Sequence, residues 1–173
     1  MGLLKRIYHR ILSERFPLLY ARQLGVKIGE QTLIGKDCSF GSEPYLVTIG
    51  SNCQITNGVS IFTHGGGHVV RRDIPGFDVF GKVTIEDGAY IGSHSLIMPG
   101  VIVGRCAMVA AGSVVTKSVP ERMVVAGNPA RIICSVDDYY QRNKPYDVST
   151  YRLDAEEKKS VLLSLTEEKF IKK

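Results

Sequence analysis

The sequence predicts a mainly β protein, a coil of short parallel strands with a helix at each end. Three observations predict it. An aliphatic or aromatic residue returns every sixth position, a small or β-branched residue stands two places before it, and glycine follows it in six of twelve cases.

From Val83 the chain reads VTIEDG AYIGSH SLIMPG VIVGRC AMVAAG SVVTKS, with Ile85, Ile91, Ile97, Val103, Val109 and Val115 in phase. The same frame holds earlier at Ile28, Ile34, Phe40, Ile49, Ile55 and Ile61. The small partners are Val26, Thr32, Cys38, Val47, Cys53, Val59, Val83, Ala89, Ser95, Val101, Ala107 and Ser113. A strand repeats every two residues and a helix every 3.6, so a period of six needs a short strand followed by a tight corner. Strand alternation points the aliphatic residue and its small partner inward. Glycine beside the corner is expected to permit close turning. Three faces close a coil of about 18 residues, coils stack at roughly 4.8 Å, and twelve hexads make about four coils. Cys38 and Cys53 fall at inward positions and are expected as core fillers, not nucleophiles.

Two interruptions break the frame. Three extra residues lie near Ser42–Tyr45, and a long glycine-rich excursion runs from about 62 to 82. Loops projecting from a rigid repeat are where function concentrates.

The flanks read as helices. Leu3, Leu4, Ile7, Ile11 and Leu12 form an apolar stripe with Lys5, Arg6 and Arg10 off it. Pro17 interrupts, and a second helix over Leu18–Leu24 is stopped by Gly25. A basic amphipathic helix can lie on an anionic membrane, but covering the open end of the coil is favoured. The myristoylation pattern fails at Arg6. Asp154–Lys172 reads as a second amphipathic helix that buries Val161, Leu162, Leu165 and Phe170. The expected divisions are 1–25 as a helical cap, 26–133 as the repeat domain and 134–173 as a helical tail.

Composition excludes several classes. With 173 residues, 44% hydrophobic and 23% charged, the chain is an ordinary globular domain, not a disordered one. No apolar run reaches a membrane span, and no signal peptide opens the chain. Four cysteines without CxxC spacing suit a reducing cytoplasm. Residues 1–25 carry five basic residues against Glu14 alone, and the rest is near balance. A basic excess confined to one short segment argues against nucleic acid as a partner.

Of the four histidines, His9 is expected in solvent on the first helix and His94 as a structural corner residue. His64 and His68 share the excursion THGGGH, where glycines let a ligand approach a general base.

The hexads, the loop THGGGH, the stretch VTIEDGAYIGSHSLIMPGVIVG, AAGSVVTKSVP and the closing VVAGNPARII resemble the hexapeptide-repeat acyltransferases. Within them the chain is most similar to xenobiotic and polysaccharide O-acetyltransferases, over about residues 26–133. The resemblance implies a left-handed parallel β-helix, a homotrimer with active sites between subunits, and acetyl-CoA as donor without a metal. It implies a histidine base on the excursion. Xenobiotic acetyltransferases place this base seven residues after the hexad aliphatic position, which from Ile61 is His68. Other relatives place it nearer the coil, which is His64, and the count puts His68 ahead. The coenzyme positions carried over are Ser93, Ala111, Thr116 and Lys117 along the groove, with Arg131 toward the nucleotide end. Tyr90 stands where several relatives carry Trp. Where relatives place an acceptor-side Asn, this chain reads FGSEPYL, leaving Ser42, Glu43 or Tyr45 as substitutes.

The activity implied is O-acetylation of a sugar or glycan precursor by His general-base direct transfer, in the cytoplasm. Three alternatives stand beside it. One is N-acetylation of an amino-sugar nucleotide, and another is a non-catalytic trimeric scaffold. The last is a zinc hydratase of the γ-carbonic-anhydrase type using His64, His68 and His94, against which the H-x3-H spacing and the GNPA ending argue.

Overall fold

A computed structural model describes the backbone of residues 3–172 and the side chains of residues 8–172. The chain winds through four complete coils with three flat faces. The first face stacks Lys27–Ile28, Val47–Ile49, Val83–Ile85 and Ile102–Val103, all parallel. The second stacks Leu33–Ile34, Gln54–Ile55, Tyr90–Ile91, Met108–Val109 and Met123–Ala126, and Arg131–Ser135 closes it antiparallel. The third stacks Ser60–Ile61, Leu96–Ile97 and Val114–Val115, with Ser39 bridging to Ser60 beneath them.

Registers follow the hexad frame. Ile55, Ile91 and Val109 lie above one another on the second face, and Ile61, Ile97 and Val115 on the third. Every aliphatic frame residue except Ile28 is buried, and Ile85, Ile91, Ile97, Val103 and Val109 are wholly inaccessible. All the small partners are buried too, apart from the half-buried Cys38. Burial pushes the Cys38 and Cys53 thiols up, and backbone hydrogen bonds only partly oppose it, so neither is an activated nucleophile.

The corners turn differently from the expectation. The residue in left-handed backbone conformation lies three places after the aliphatic one, as at Asn52, Gly58, Gly88, His94, Gly100 and Gly112. Apart from Gly41, whose φ is 66°, the glycines directly after the frame residue, such as Gly92, have no positive φ, and coil stacking explains them instead. A Cβ on Gly92 would lie 2.4 Å from the Ala111 nitrogen of the next coil. His94 sits at a corner with φ 59°, its ring over Gly58, in keeping with a structural role.

Helix α1 (Leu3–Arg15) ends before Pro17, and α2 (Pro17–Leu24) ends at Gly25, whose φ of 105° is left-handed. Ala21 is fully buried in the core of the coils, with Leu18 and Leu24 packed beside it. The expected side chains Leu3, Leu4, Lys5, Arg6 and Ile7 lie outside the described residues. His9 is not simply solvated, because its ring stands edge-on to Tyr8 and Tyr20.

The excursion holds one short helix, α3 (Gly67–Val70). Its neck is closed by an antiparallel bridge between His64 and Phe80 and by Gly81 N–H donating to the Thr63 carbonyl at 2.8 Å. Arg71 braces the inside, pairing with Asp78 at 3.0 Å and donating to the Phe77 carbonyl at 2.8 Å.

The chain divides into two compact units between Val136 and Asp137. Helix α4 (Val136–Asn143) carries the chain across that division, and α5 (Ala155–Ser164) lies in the second unit. Helix α5 is shorter than expected. Asp154 and Glu157 start it with a capping box, but Leu165 and Thr166 are extended and end it. Val161, Leu162 and Leu165 are only half-buried and Phe170 is exposed, so the expected apolar face does not form. Among the described residues no helix is long and apolar enough to cross a membrane.

Candidate active site

The corners between the third and first faces form a column, and the third-face register fixes who stands in it. Ser39 pairs with Ser60, Ile61 with Ile97 and Ile97 with Val115. Extended past the strands, this register stacks Ser42 under Thr63, Glu43 under His64, and Pro99 between Thr63 and Lys117. The three extra residues near Ser42–Tyr45 become a 3₁₀ turn, Pro44–Leu46, which holds Glu43 at the corner beneath the excursion.

There the side chains meet. His64 Nδ1 and Glu43 Oε2 are 2.8 Å apart, and Thr63 Oγ1 donates to the same oxygen at 2.8 Å. An ionised carboxylate can only accept, so Nδ1 is the donor of this contact, and in the neutral ring Nε2 is then the basic nitrogen. Ser42 Oγ lies 3.4 Å from Nδ1, too far to compete. The Thr63 hydroxyl, and after it the His64 and Ser42 contacts, hold the Glu43 carboxyl below its ordinary value, with partial desolvation opposing them. Thr63 is fully buried, and the Glu43 side chain is 17% exposed against 42% for His64. The orienting groups are thus shielded while the imidazole remains open to a substrate. Phe80 flanks it, with ring centroids 6.0 Å apart.

The other expected base, His68, lies exposed on α3 and has no hydrogen-bond partner among the described residues. The three histidines of the zinc alternative are not gathered. His94 occupies the corner between the second and third faces, and no three metal-ligating groups cluster among the described residues.

The expected coenzyme residues fall into two groups. Lys117 and Arg131 line one cavity of about 370 Å³ with Val115, Ser118 and Ala130, and Thr116 is exposed beside them. Ser93 and Ala111 stand on another column, between the second and third faces, where Gly112 N–H donates to the Ser93 carbonyl at 2.8 Å. Ser93 Oγ donates to Thr56 Oγ1 at 3.1 Å. Tyr90 is half-buried on the second face.

Sequence reasoning missed Glu43 as the partner of a histidine. The signal was countable. The first coil with its three extra residues is 21 residues long by the Ser39–Ser60 pairing, and Glu43 precedes His64 by that number.

Comparison with known proteins agrees with this architecture. The family pattern for bacterial transferase hexapeptide (six repeats) matches residues 82–117, and that for the hexapeptide repeat of succinyl-transferase matches residues 25–63. Protein CapG of Staphylococcus aureus is 38% identical over 164 residues, covering 93% of this chain and 95% of that protein. Galactoside O-acetyltransferase of Escherichia coli (strain K12) is 36% identical over 115 residues, covering 65% of this chain and 54% of that protein. A solved galactoside acetyltransferase in complex with coenzyme A superposes with a TM-score of 0.60, covering 80% of this chain and 82% of that one. At 24% identity that likeness speaks for the fold, a left-handed parallel β-helix. With its hexads, its four coils and a near full-length relative, the chain belongs to the hexapeptide-repeat acyltransferases and is an acyltransferase.

Proposed function

We propose that this acetyltransferase, drawing on acetyl-CoA, acetylates a hydroxyl of a sugar or glycan precursor with His64 as general base. The observation that carries the reading is the 2.8 Å contact between His64 Nδ1 and Glu43 Oε2, braced by Thr63. It supports His64 over His68, reversing the preference from counting along the hexads. Glu43 fixes the ring and its tautomer, and its charge stabilises the imidazolium that forms. Nε2 takes the acceptor hydroxyl's proton as the oxygen attacks the thioester carbonyl, and a backbone N–H steadies the oxyanion. The proton then leaves on the coenzyme sulfur, so an ester and free coenzyme A are the products. No covalent enzyme intermediate is required.

Lys117 and Arg131, lining one cavity, supply cations for the phosphates of the coenzyme's nucleotide end. Ser93 and Ala111 lie on a different corner column of the same chain. An extended coenzyme that touches both columns is best served by two subunits, one offering each corner, which favours a homotrimer with intersubunit sites. Four free cysteines fit a reducing cytoplasm.

The test is a screen of sugars, sugar nucleotides and amino sugars with acetyl-CoA, reading thiol release. Hydroxylamine then separates the product classes, because it cleaves an ester and spares an amide. A hydroxylamine-labile product supports O-acetylation, and a resistant one assigns the reaction to an amine.

A further inference from the structure

Beside His64, on the side away from Glu43, the structure holds a recess of about 350 Å³. Its walls are Gly65, Val79, Phe80, Gly81, Pro99 and Gly100. No side chain among these carries a polar atom, and three of the six are glycine. The recess exists because the returning arm of the excursion lies directly on the next coil. A Cβ on Gly81 would fall 2.3 Å from the Gly100 nitrogen, and Gly81 N–H is tied to the Thr63 carbonyl at 2.8 Å. Gly65 and Gly100, by contrast, face open space, with nothing within 4 Å of a Cβ built on either.

Position narrows what can occupy it. In the corner column Glu43 stands one coil below His64, and Pro99 stands one coil above Thr63, toward Lys117. The recess therefore lies between the proposed base and the proposed coenzyme cavity. A thioester carbonyl attacked by an oxygen that His64 deprotonates must carry its alkyl substituent close to His64. An apolar wall without side-chain donors holds water poorly and gains from an alkyl group. At roughly 30 Å³ per water the space takes on the order of ten water molecules, far more than one methyl group fills.

We infer that this recess receives the alkyl end of the donor, and that the enzyme accepts acyl-CoA donors of three and four carbons as well as acetyl-CoA. The inference rests on the proposed reading of His64 and the coenzyme cavity. The chemistry is unchanged. The acyl C–S bond breaks, the acyl C–O bond forms, and the acceptor's proton passes through His64 to the coenzyme thiolate.

The experiment is calorimetric titration of the full chain with acetyl-, propionyl- and n-butyryl-CoA, repeated on Gly65→Val. Gly65 lines the recess at an ordinary φ, and nothing lies within 4 Å of a Cβ built there, so valine adds apolar bulk at the rim without displacing a neighbour. Each added methylene is expected to tighten binding about fourfold in the wild type, and Gly65→Val is expected to abolish that progression. Butyryl-CoA binding no tighter than acetyl-CoA in the wild type would overturn the inference. So would a progression that survives Gly65→Val. Failure of acetyl-CoA itself to bind would instead refute the donor reading, and this inference with it.

Discussion

Replacing Glu43 tests how much of the catalytic power of His64 depends on being held. Alanine at 43 removes the carboxylate 2.8 Å from Nδ1 and leaves Thr63 Oγ1 without its acceptor. The imidazole then samples both tautomers and loses its anionic partner as it charges. Loss of a charge-assisted hydrogen bond that matters in the transition state lowers kcat by about 10- to 100-fold. Glutamine is the more telling variant. Its amide oxygen can stand where Oε2 stands and accept from both Thr63 and His64, but as a neutral acceptor of roughly half the strength. Half the free energy is the square root of the ratio, so Glu43→Gln is expected to cost about 3- to 10-fold. The assay is thiol release at saturating acetyl-CoA, with the dissociation constant measured beside it by calorimetry and expected to stay unchanged. Wild-type kcat in Glu43→Ala would refute the reasoning, as would a loss that appears wholly in coenzyme affinity.

Further outcomes follow from the same structure. The Glu43 carboxyl is held below its ordinary value of 4.5, so the folded state binds fewer protons there than the unfolded chain does. Its contribution to stability is complete above pH 4.5 and is lost as pH falls through the depressed value. Unfolding curves of wild type and Glu43→Gln are therefore expected to differ at neutral pH and converge in acid. Ile91→Ala empties a wholly inaccessible core position and is expected to cost about 2–5 kcal/mol, read by denaturant unfolding. Lys117→Ala is expected to weaken acetyl-CoA binding several-fold in calorimetry, with the difference shrinking as salt is raised.

The core of this fold is legible because one side chain in six carries it. Buried Ile and Val at a fixed spacing admit few other structures, and the strand registers repeat that spacing without a slip inside the coils. The role of the following glycine was not legible in the same way. Turning and close stacking both favour glycine, and only the backbone separates them. At Gly92 it is the Ala111 nitrogen in the next coil that excludes a Cβ, while the left-handed turn falls at His94. The second terminal helix forms over Ala155–Ser164 but stops short of its expected end. Apolar spacing over Val161–Phe170 suggested continuation, yet the backbone is extended at Leu165 and Thr166.

The candidate site was half legible. Glycines and histidines marked the excursion, but choosing between His64 and His68 needed a partner that the hexad count does not show. That partner sits in an insertion, which breaks the repeat where the repeat would have been used to place it. Once the coil length of 21 is known, Glu43 under His64 follows. Lys117 and Arg131 share a cavity because the antiparallel Arg131–Ser135 strand folds back against the last coil, a contact no repeat encodes.

The central claim is that His64, oriented by Glu43, is the base. Its most direct test is kcat for His64→Ala and His68→Ala in parallel, on an acceptor that the wild type acetylates. The account predicts a loss of at least ~10²-fold in His64→Ala with acetyl-CoA affinity retained, and a rate near wild type in His68→Ala. The opposite pattern, a near-wild-type His64→Ala and a crippled His68→Ala, would contradict it.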